Sequence, residues 1–415
     1  MKGATAQRQQ EQGLERTLSL PLLSVYGLGT ILGAGIYVVI GDVIGRGGVY
    51  APLAFLFAAL VAGLTAIGYG ELAGRIPRSG GPAAYLQQAF GICWLSGLVG
   101  WMIAATGVVS AATIVTGFTS YLSVLVDWPD WPVMITVVLV LGGIAAAGIE
   151  ESAWTMGVTT AAGVAGLIYV LVLGAPNVGD LPGKLSDAGG VMDGAVLAGL
   201  LGAAFTAFYA FIGFEDMVHT AEEAKNARKI MPTAIIIALG VSLVFYLAVS
   251  VVAVASMSPQ AMREAKAPLV ALIDKEGGSR LLLGVLSLMI IVNSALAQII
   301  MASRVIHGLG KRHGAAPEIL ARINPRTNSP LLATALSAAV VLALALFFPT
   351  ETLARGTSFI ILLVFIASNA ALIRLKARHV GREDGLTVPI WVPWLGIVLT
   401  AGLIIAQPFL GGGGH

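Results

Sequence analysis

The chain has 415 residues, 57% of them hydrophobic and only 11% charged, with a mean hydropathy of +0.88. Soluble domains carry roughly 25% charged residues, so this composition excludes a soluble globular protein and predicts an all-α integral membrane protein. A formal net charge of +2 says little about partners, nothing points to nucleic acid, and a single cysteine, Cys93, excludes an internal disulfide or a cysteine-based metal site.

Windows of about 20 apolar residues read as membrane helices. Eleven such windows follow one another, at 19–43, 51–74, 92–126, 131–148, 153–174, 195–219, 232–256, 281–308, 330–348, 352–374 and 388–410. Residues 1–18 are polar and form a cytoplasmic tail, without the pattern of a cleavable signal peptide, so the first span is retained. No room is left for a separate soluble domain. All 24 Lys and Arg residues fall in loops or at span ends. With the N-terminus in the cytoplasm, 17 of them lie inside and seven outside, the asymmetry that the positive-inside rule expects. The localisation expected is the inner (cytoplasmic) membrane, multi-pass, with the lipid bilayer as one partner.

In the first window, "GLGTILGAGIY" (27–37) puts glycines at 27, 29, 33 and 35. Glycine weakens a helix interior by about 1 kcal/mol relative to alanine. One reading is a Gly29–Gly33 contact that lets two helices approach closely. The other is a broken helix near Gly33, Ala34 and Gly35, whose freed amides and positive dipole end suit a carboxylate. In the sixth window, "FIGFED" sets Gly213 and Phe214 beside Glu215 and Asp216 in an apolar stretch. Ionisable residues in a span are a functional hypothesis by default; the alternative is that both acids are solvated at the cytoplasmic mouth. His219 follows closely and reads as structural. Gly33 and Gly213 lie 180 residues apart, in the first and sixth windows, an offset of five spans. Five is odd, so the second five-span set runs opposite to the first, and paired interrupted helices in inverted halves point to a transporter's central site.

The domain reading is therefore a 1–18 tail, a first five-helix repeat over 19–174, an inverted second over 195–374, and an additional helix at 388–410. Helices 1 and 6 are expected to be unwound at mid-membrane. Thr106, Ser110 and Thr113 share one helical face, as do Ser287, Ser294 and Gln298. Each set either lines a cavity or makes packing contacts across helices. The chain has no HExxH, GxSxG or GxxxxGK[ST] pattern, and its five histidines form no convincing metal pair. The reading is thus not an enzyme, with no catalytic residues, no metal and no cofactor beyond a coupling H+ or Na+.

"GLGTILGAGIYVVIG" (27–41), "GYGELAGRIPRSGGPAAY" (68–85), "FYAFIGFEDMVHTAEEAKNARKIMP" (208–232) and "ASRVIHGLG" (302–310) resemble the amino acid–polyamine–organocation superfamily of permeases, with most similarity to its bacterial cationic amino acid transporter-like branch. The resemblance covers ten spans in order and implies two inverted five-helix repeats around an α-amino acid. It implies a substrate carboxylate on the backbone of Gly33, Ala34 and Gly35. The ammonium would lie against carbonyls near Ile31, Tyr209 and Ile212, beside Gly213, with Tyr209 as an aromatic gate. Glu215, Asp216 and Glu71 become the gating or proton-coupling candidates. Two positions depart from the pattern: Gly163 stands where some proton-coupled relatives carry a lysine, and Ala227 replaces the proline of "KNP". The expectation is a secondary-active permease moving an α-amino acid by alternating access. Rival readings are a polyamine or amine carrier, an obligate exchanger, and an amino-acid-binding sensor that transports nothing. A polyamine site would want more cavity carboxylates than Glu215 and Asp216, which favours a neutral or small amino acid.

Overall fold

The computed structural model describes residues 18–76, 81–148, 153–188, 194–221, 224–311, 315–380 and 386–410. The described residues are almost wholly helical. In chain order the first helices are α1 (Leu20–Ile31), α2 (Gly35–Gly47), α3 (Ala51–Arg75), α4 (Gly81–Phe90), α5 (Cys93–Leu122) and α6 (Asp130–Ala146). There follow α7 (Ala153–Gly174), α8 (Leu181–Asp187), α9 (Gly194–Ala207), α10 (Phe214–Met217) and α11 (Ala227–Ser256). The series closes with α12 (Pro259–Glu264), α13 (Pro268–Lys275), α14 (Arg280–Gly310), α15 (Leu331–Phe347), α16 (Thr350–Ala377) and α17 (Trp391–Leu410).

Local chemistry sets several boundaries. Ser258 and Ser279 stand at the N-caps of α12 and α14, where their hydroxyls accept from the amides of Ala261 and Leu282. Pro21 and Pro52 sit in the first turns of α1 and α3, where a missing amide proton is harmless. At the end of α11 two lysines take over the orphan carbonyls: Lys184 donates to Val254 O and Ala255 O at 2.9 and 2.6 Å, and Lys275 to Ser256 O at 2.5 Å. Outside the apolar spans, the Arg280 guanidinium hydrogen-bonded to Asp274 holds that carboxyl below its usual range.

In lipid, helices associate through packing and hydrogen bonds, because the tails are as apolar as leucine. α5 packs along α14 and α16, and α3 along α11. Edge-to-face rings gather at the centre: Tyr69 lies 5.6 Å from Phe214 and 5.4 Å from Phe365, and Phe211 lies 5.0 Å from Tyr246. Outward-facing leucines and valines, among them Leu139, Val172 and Val244, form the apolar exterior suited to lipid.

The expected count of eleven spans is corrected. Among the described residues, seven segments are long and apolar enough to cross a membrane: Gly35–Arg75, Cys93–Leu122, Trp154–Ser186, Gly194–Thr220, Ala227–Ser256, Arg280–Gly310 and Thr350–Ala377. Leu20–Ile31, Asp130–Ala146, Leu331–Phe347 and Trp391–Gln407 are apolar but shorter. At 1.5 Å rise per residue, 12 residues reach about 18 Å and 17 about 26 Å, against a hydrocarbon core of about 30 Å. Counting apolar windows measures composition, not the length of uninterrupted helix. The first window, 19–43, is in fact divided between α1 and α2, and α2 runs on through a single 3-10 turn, Gly48–Tyr50, into α3.

The inverted five-helix repeat falls with that count, since its parity rested on five crossings in each half. The two interruptions also differ in kind, so matched unwound helices at mid-membrane are not what the chain forms. One is a three-residue gap between helices of 12 and 13 residues. The other is a 3-10 turn, Phe208–Phe211, leading through Ile212 and Gly213 into the four-residue α10.

Candidate functional site

Both interruptions open onto one cavity of about 750 Å³. α1 ends where Leu32 N donates to Leu28 O at 2.7 Å, and α2 begins where Val38 N donates to Ala34 O at 3.1 Å. The first amides of α2 therefore have no intrahelical acceptor, and they carry the positive end of its dipole. The Ala34 amide lies 3.2 Å from Ser294 Oγ, so one serine hydroxyl occupies part of this donor set.

Gly213 makes the second interruption. Its φ of +132° is a conformation that residues with a Cβ rarely adopt, and a Cβ there would lie 2.6 Å from Thr30 O. Across the same contact, a Cβ on Gly35 would lie 2.8 Å from Ala210 Cα. The two interruptions are pressed backbone to backbone, and glycine is what permits it. Tyr246 Oη stitches them together, 2.5 Å from Ile31 O and 2.8 Å from Ala210 O. A carbonyl has two lone pairs, so Ile31 O keeps one acceptor site after this bond.

Four walls surround the space. Thr30, Ile31, Ala34 and Gly35 form the first; Tyr209, Ile212 and Asp216 form the second. α5 contributes Ile103, Ser110 and Ile114, and α14 contributes Asn293, Ser294, Ala297 and Gln298. From there the cavity extends past His219 and Arg304 to Gly308 and Leu309 at the end of α14. Tyr209 Oη lies 3.2 Å from Ser110 Oγ, which ties the second wall to α5. Asp216 is the one carboxylate among the described lining residues, and its Oδ2 accepts from Gln298 Nε2 at 3.2 Å.

Of the residues singled out in the sequence, Ile31, Ala34, Gly35, Tyr209, Ile212 and Asp216 line the cavity. Gly33 lies just behind the wall, where a Cβ would come 2.6 Å from Ser294 Oγ, and Gly213 lies against Thr30 as described. Glu215 does not line it. Its Oε2 accepts from Gly213 N at 2.9 Å, folding the carboxylate back over the interruption. Glu71 is elsewhere: Lys376 Nζ donates to its two oxygens at 2.6 and 2.7 Å, Arg75 Nε at 2.8 Å and Val388 N at 2.9 Å. That knot joins α3 to α16 and to the strand of chain before α17.

The polar helix faces divide in the same way. Ser110, Ser294 and Gln298 reach the cavity, whereas Thr106, Thr113 and Ser287 bond back to the carbonyls of Met102, Val109 and Leu283 in their own helices. Gly163, at the position of the lysine, gives its carbonyl to Tyr37 Oη at 2.6 Å. Two residues escaped the sequence reading. Asn293 adjoins Ser294 and is polar in an apolar run, a signal that was available. Tyr246 stands alone in "SLVFYLAV", and a buried phenol needs an acceptor, but nothing local says that the acceptors are Ile31 and Ala210. Among the described residues, no group of three or more His, Cys, Asp or Glu is placed to hold a metal.

Comparison with known proteins gives this geometry a family. Residues 18–415 match the amino acid permease family. Cationic amino acid transporter 3, mitochondrial, of Arabidopsis thaliana is 27% identical over 91% of this chain, which spans 65% of that transporter's length. The methylthioribose transporter of Bacillus subtilis is 28% identical, over 95% of this chain and 88% of its own. An uncharacterised transporter of Mycobacterium tuberculosis is 31% identical, over 95% and 87% respectively. The chain belongs to the amino acid permease family, and so to the amino acid–polyamine–organocation superfamily of multi-pass membrane transporters rather than to any class of enzyme.

Proposed function

We propose that the chain is a secondary-active permease of the inner membrane that moves an α-amino acid by alternating access, within the bacterial cationic amino acid transporter-like branch. The observation that carries this reading is the helix N-terminus at Ala34 and Gly35 opening onto the central cavity. Its amides take the substrate carboxylate. The ammonium goes to the remaining acceptor site on Ile31 O and to the carbonyls at Tyr209 and Ile212, while Gly33 and Gly213 keep the backbone open to approach. Tyr209 gates the cavity against Ser110. Glu215, buried with no counter-cation paired to it among the described residues, is the candidate for proton coupling. Glu71 takes the gating part, clamping α3 to α16. With the N-terminus cytoplasmic, the cavity extends to the inner side, because Arg304 and the end of α14 lie on the Lys- and Arg-rich face. The molecule then faces inward.

Asp216 favours a second reading within the same class. A lone carboxylate on the cavity wall would receive the side chain of a cationic amino acid, or one end of an amine. Uptake of labelled amino acids and putrescine into proteoliposomes separates the readings. It is run with an inward proton gradient, with an inward sodium gradient, and with internal amino acids alone. Gradient-driven accumulation of an amino acid is expected. Uptake seen only with amino acids inside would mean an exchanger, uptake of putrescine alone an amine carrier, and binding without uptake a sensor.

A further inference from the structure

A second cavity of about 300 Å³ shares no lining residue with the first. The two meet across the first turn of α2, where Gly35 lines the central cavity and Tyr37 the other. Tyrosines separate them. Tyr37 Oη is tied to Gly163 O at 2.6 Å, Tyr121 Oη donates to Tyr37 O at 3.0 Å, and the two rings meet edge to face at 6.0 Å.

This second space is a seam between two bodies. One side is α2 with α12 and the turn after it, where buried Met262 sets its carbonyl over Gly41. The other is the far end of α5 with the start of α16. Glu351 bridges the seam, paired with Arg46 of α2 and 4.0 Å from Arg263 of α12. Inside, hydroxyls of Ser120, Thr206 and Thr350 sit with the rings of Tyr37 and Tyr121. Charged residues of both signs line the seam: Asp42 and Glu351, each paired with Arg46, together with Glu264, Arg263 and Lys266.

That lining suits neither a simple cation nor a simple anion, because either would leave charges of its own sign facing it at short range. A zwitterion answers both signs. The Lys266 ammonium makes no ion pair or hydrogen bond among the described residues, which leaves it open to a carboxylate. Glu264 has given one oxygen to Gln260 Nε2 at 2.9 Å and keeps the other for an ammonium. At about 30 Å³ per water the space holds roughly ten waters, enough for one amino acid of similar heavy-atom number.

We infer that the seam between α2–α12 and α5–α16 is a second binding site for a zwitterionic amino acid, separated from the central cavity by Tyr37 and Tyr121. The choice of ligand class rests on the proposed reading of the central site. The full chain is purified in detergent, and equilibrium binding of tritiated L-alanine and L-arginine is measured for wild type, Ser120→Phe, Lys266→Glu and Ala297→Phe. Ser120→Phe fills the second cavity, Lys266→Glu reverses an exposed charge of its lining, and Ala297→Phe fills the central cavity; unchanged melting temperatures establish that each is folded. Wild type is expected to bind about two equivalents of at least one probe, as two separate pockets require. Each cavity-filling variant should bind one, and Lys266→Glu should lose the same component as Ser120→Phe. One equivalent in wild type, unaffected by Ser120→Phe and removed by Ala297→Phe, overturns the second site and leaves the central reading intact. Loss caused by Ser120→Phe but not by Ala297→Phe overturns the central reading instead. No binding of either probe to folded wild type overturns both.

Discussion

Glu71 and Glu215 are both buried carboxylates on apolar elements, 1% and 6% exposed. Their surroundings differ. Glu71 is held by Lys376, Arg75 and the Val388 amide, so both its charge and its lone pairs are answered. Glu215 accepts from the Gly213 amide and sits beside a second acid, Asp216, with no ion pair among the described residues. A buried charge with partners is a fixture, and removing one member strands the others. A buried acid without a counter-charge is an expense that a fold keeps for function. In the proposed reading the pair separates a gating clamp from a coupling site, two roles that looked alike in the sequence.

The largest effect should come from breaking the satisfied acid. Glu71→Ala leaves Lys376 and Arg75 facing each other without an anion, and a loss of about 3–5 kcal/mol is expected, read as a lowered melting temperature in detergent. A melting temperature equal to wild type would make the cluster dispensable. Asp216→Asn comes next. It should weaken uptake of a cationic amino acid by roughly tenfold, the weight of one hydrogen bond to a charged group, and leave neutral ones nearly unchanged. Equal loss for both kinds would assign Asp216 to structure. Glu215→Gln should barely move the melting temperature, since Gln can still accept from Gly213 N, yet flatten the pH dependence of uptake. A pH profile like that of wild type would remove Glu215 as the proton site.

What was legible in the sequence follows the same division. Gly33–Gly35 and Gly213–Asp216 stood out because glycines and acids are costly in an apolar span, and both stretches border the central cavity. The partners of Glu71 were not legible. Lys376 lies 305 residues away, and no local pattern brings α3 to α16. The number of crossings was misread for a related reason: an apolar window marks where a helix is tolerated, while its length depends on where tertiary contacts break it. α1 ends at Ile31 because Leu32–Ala34 turns against Ser294 and the 208–213 segment.

Smaller effects sharpen the contrast on the surface. Lys184→Ala uncovers two carbonyls at the end of α11 and should lower stability by about 0.3–1 kcal/mol; no change would mean that water replaces the lysine fully. Asp274 is the smallest case. Its carboxyl is lowered by the hydrogen-bonded Arg280, so its contribution is present above the ordinary carboxylate range and lost as pH falls through the lowered value. Because the pair is exposed, Asp274→Asn should lower stability only slightly at neutral pH, and the small difference from wild type should vanish on the acid limb of a pH–melting curve.

Substrate recognition by backbone at the α1–α2 interruption is tested most directly by Gly33→Val, reconstituted beside wild type and assayed for amino acid uptake and binding after folding is verified by melting temperature. A branched side chain there meets Ser294 Oγ and closes the approach to the Ala34 and Gly35 amides. Folded protein with binding and uptake both lost is the expected result. Folded Gly33→Val with wild-type affinity would contradict it and return the glycines to helix packing.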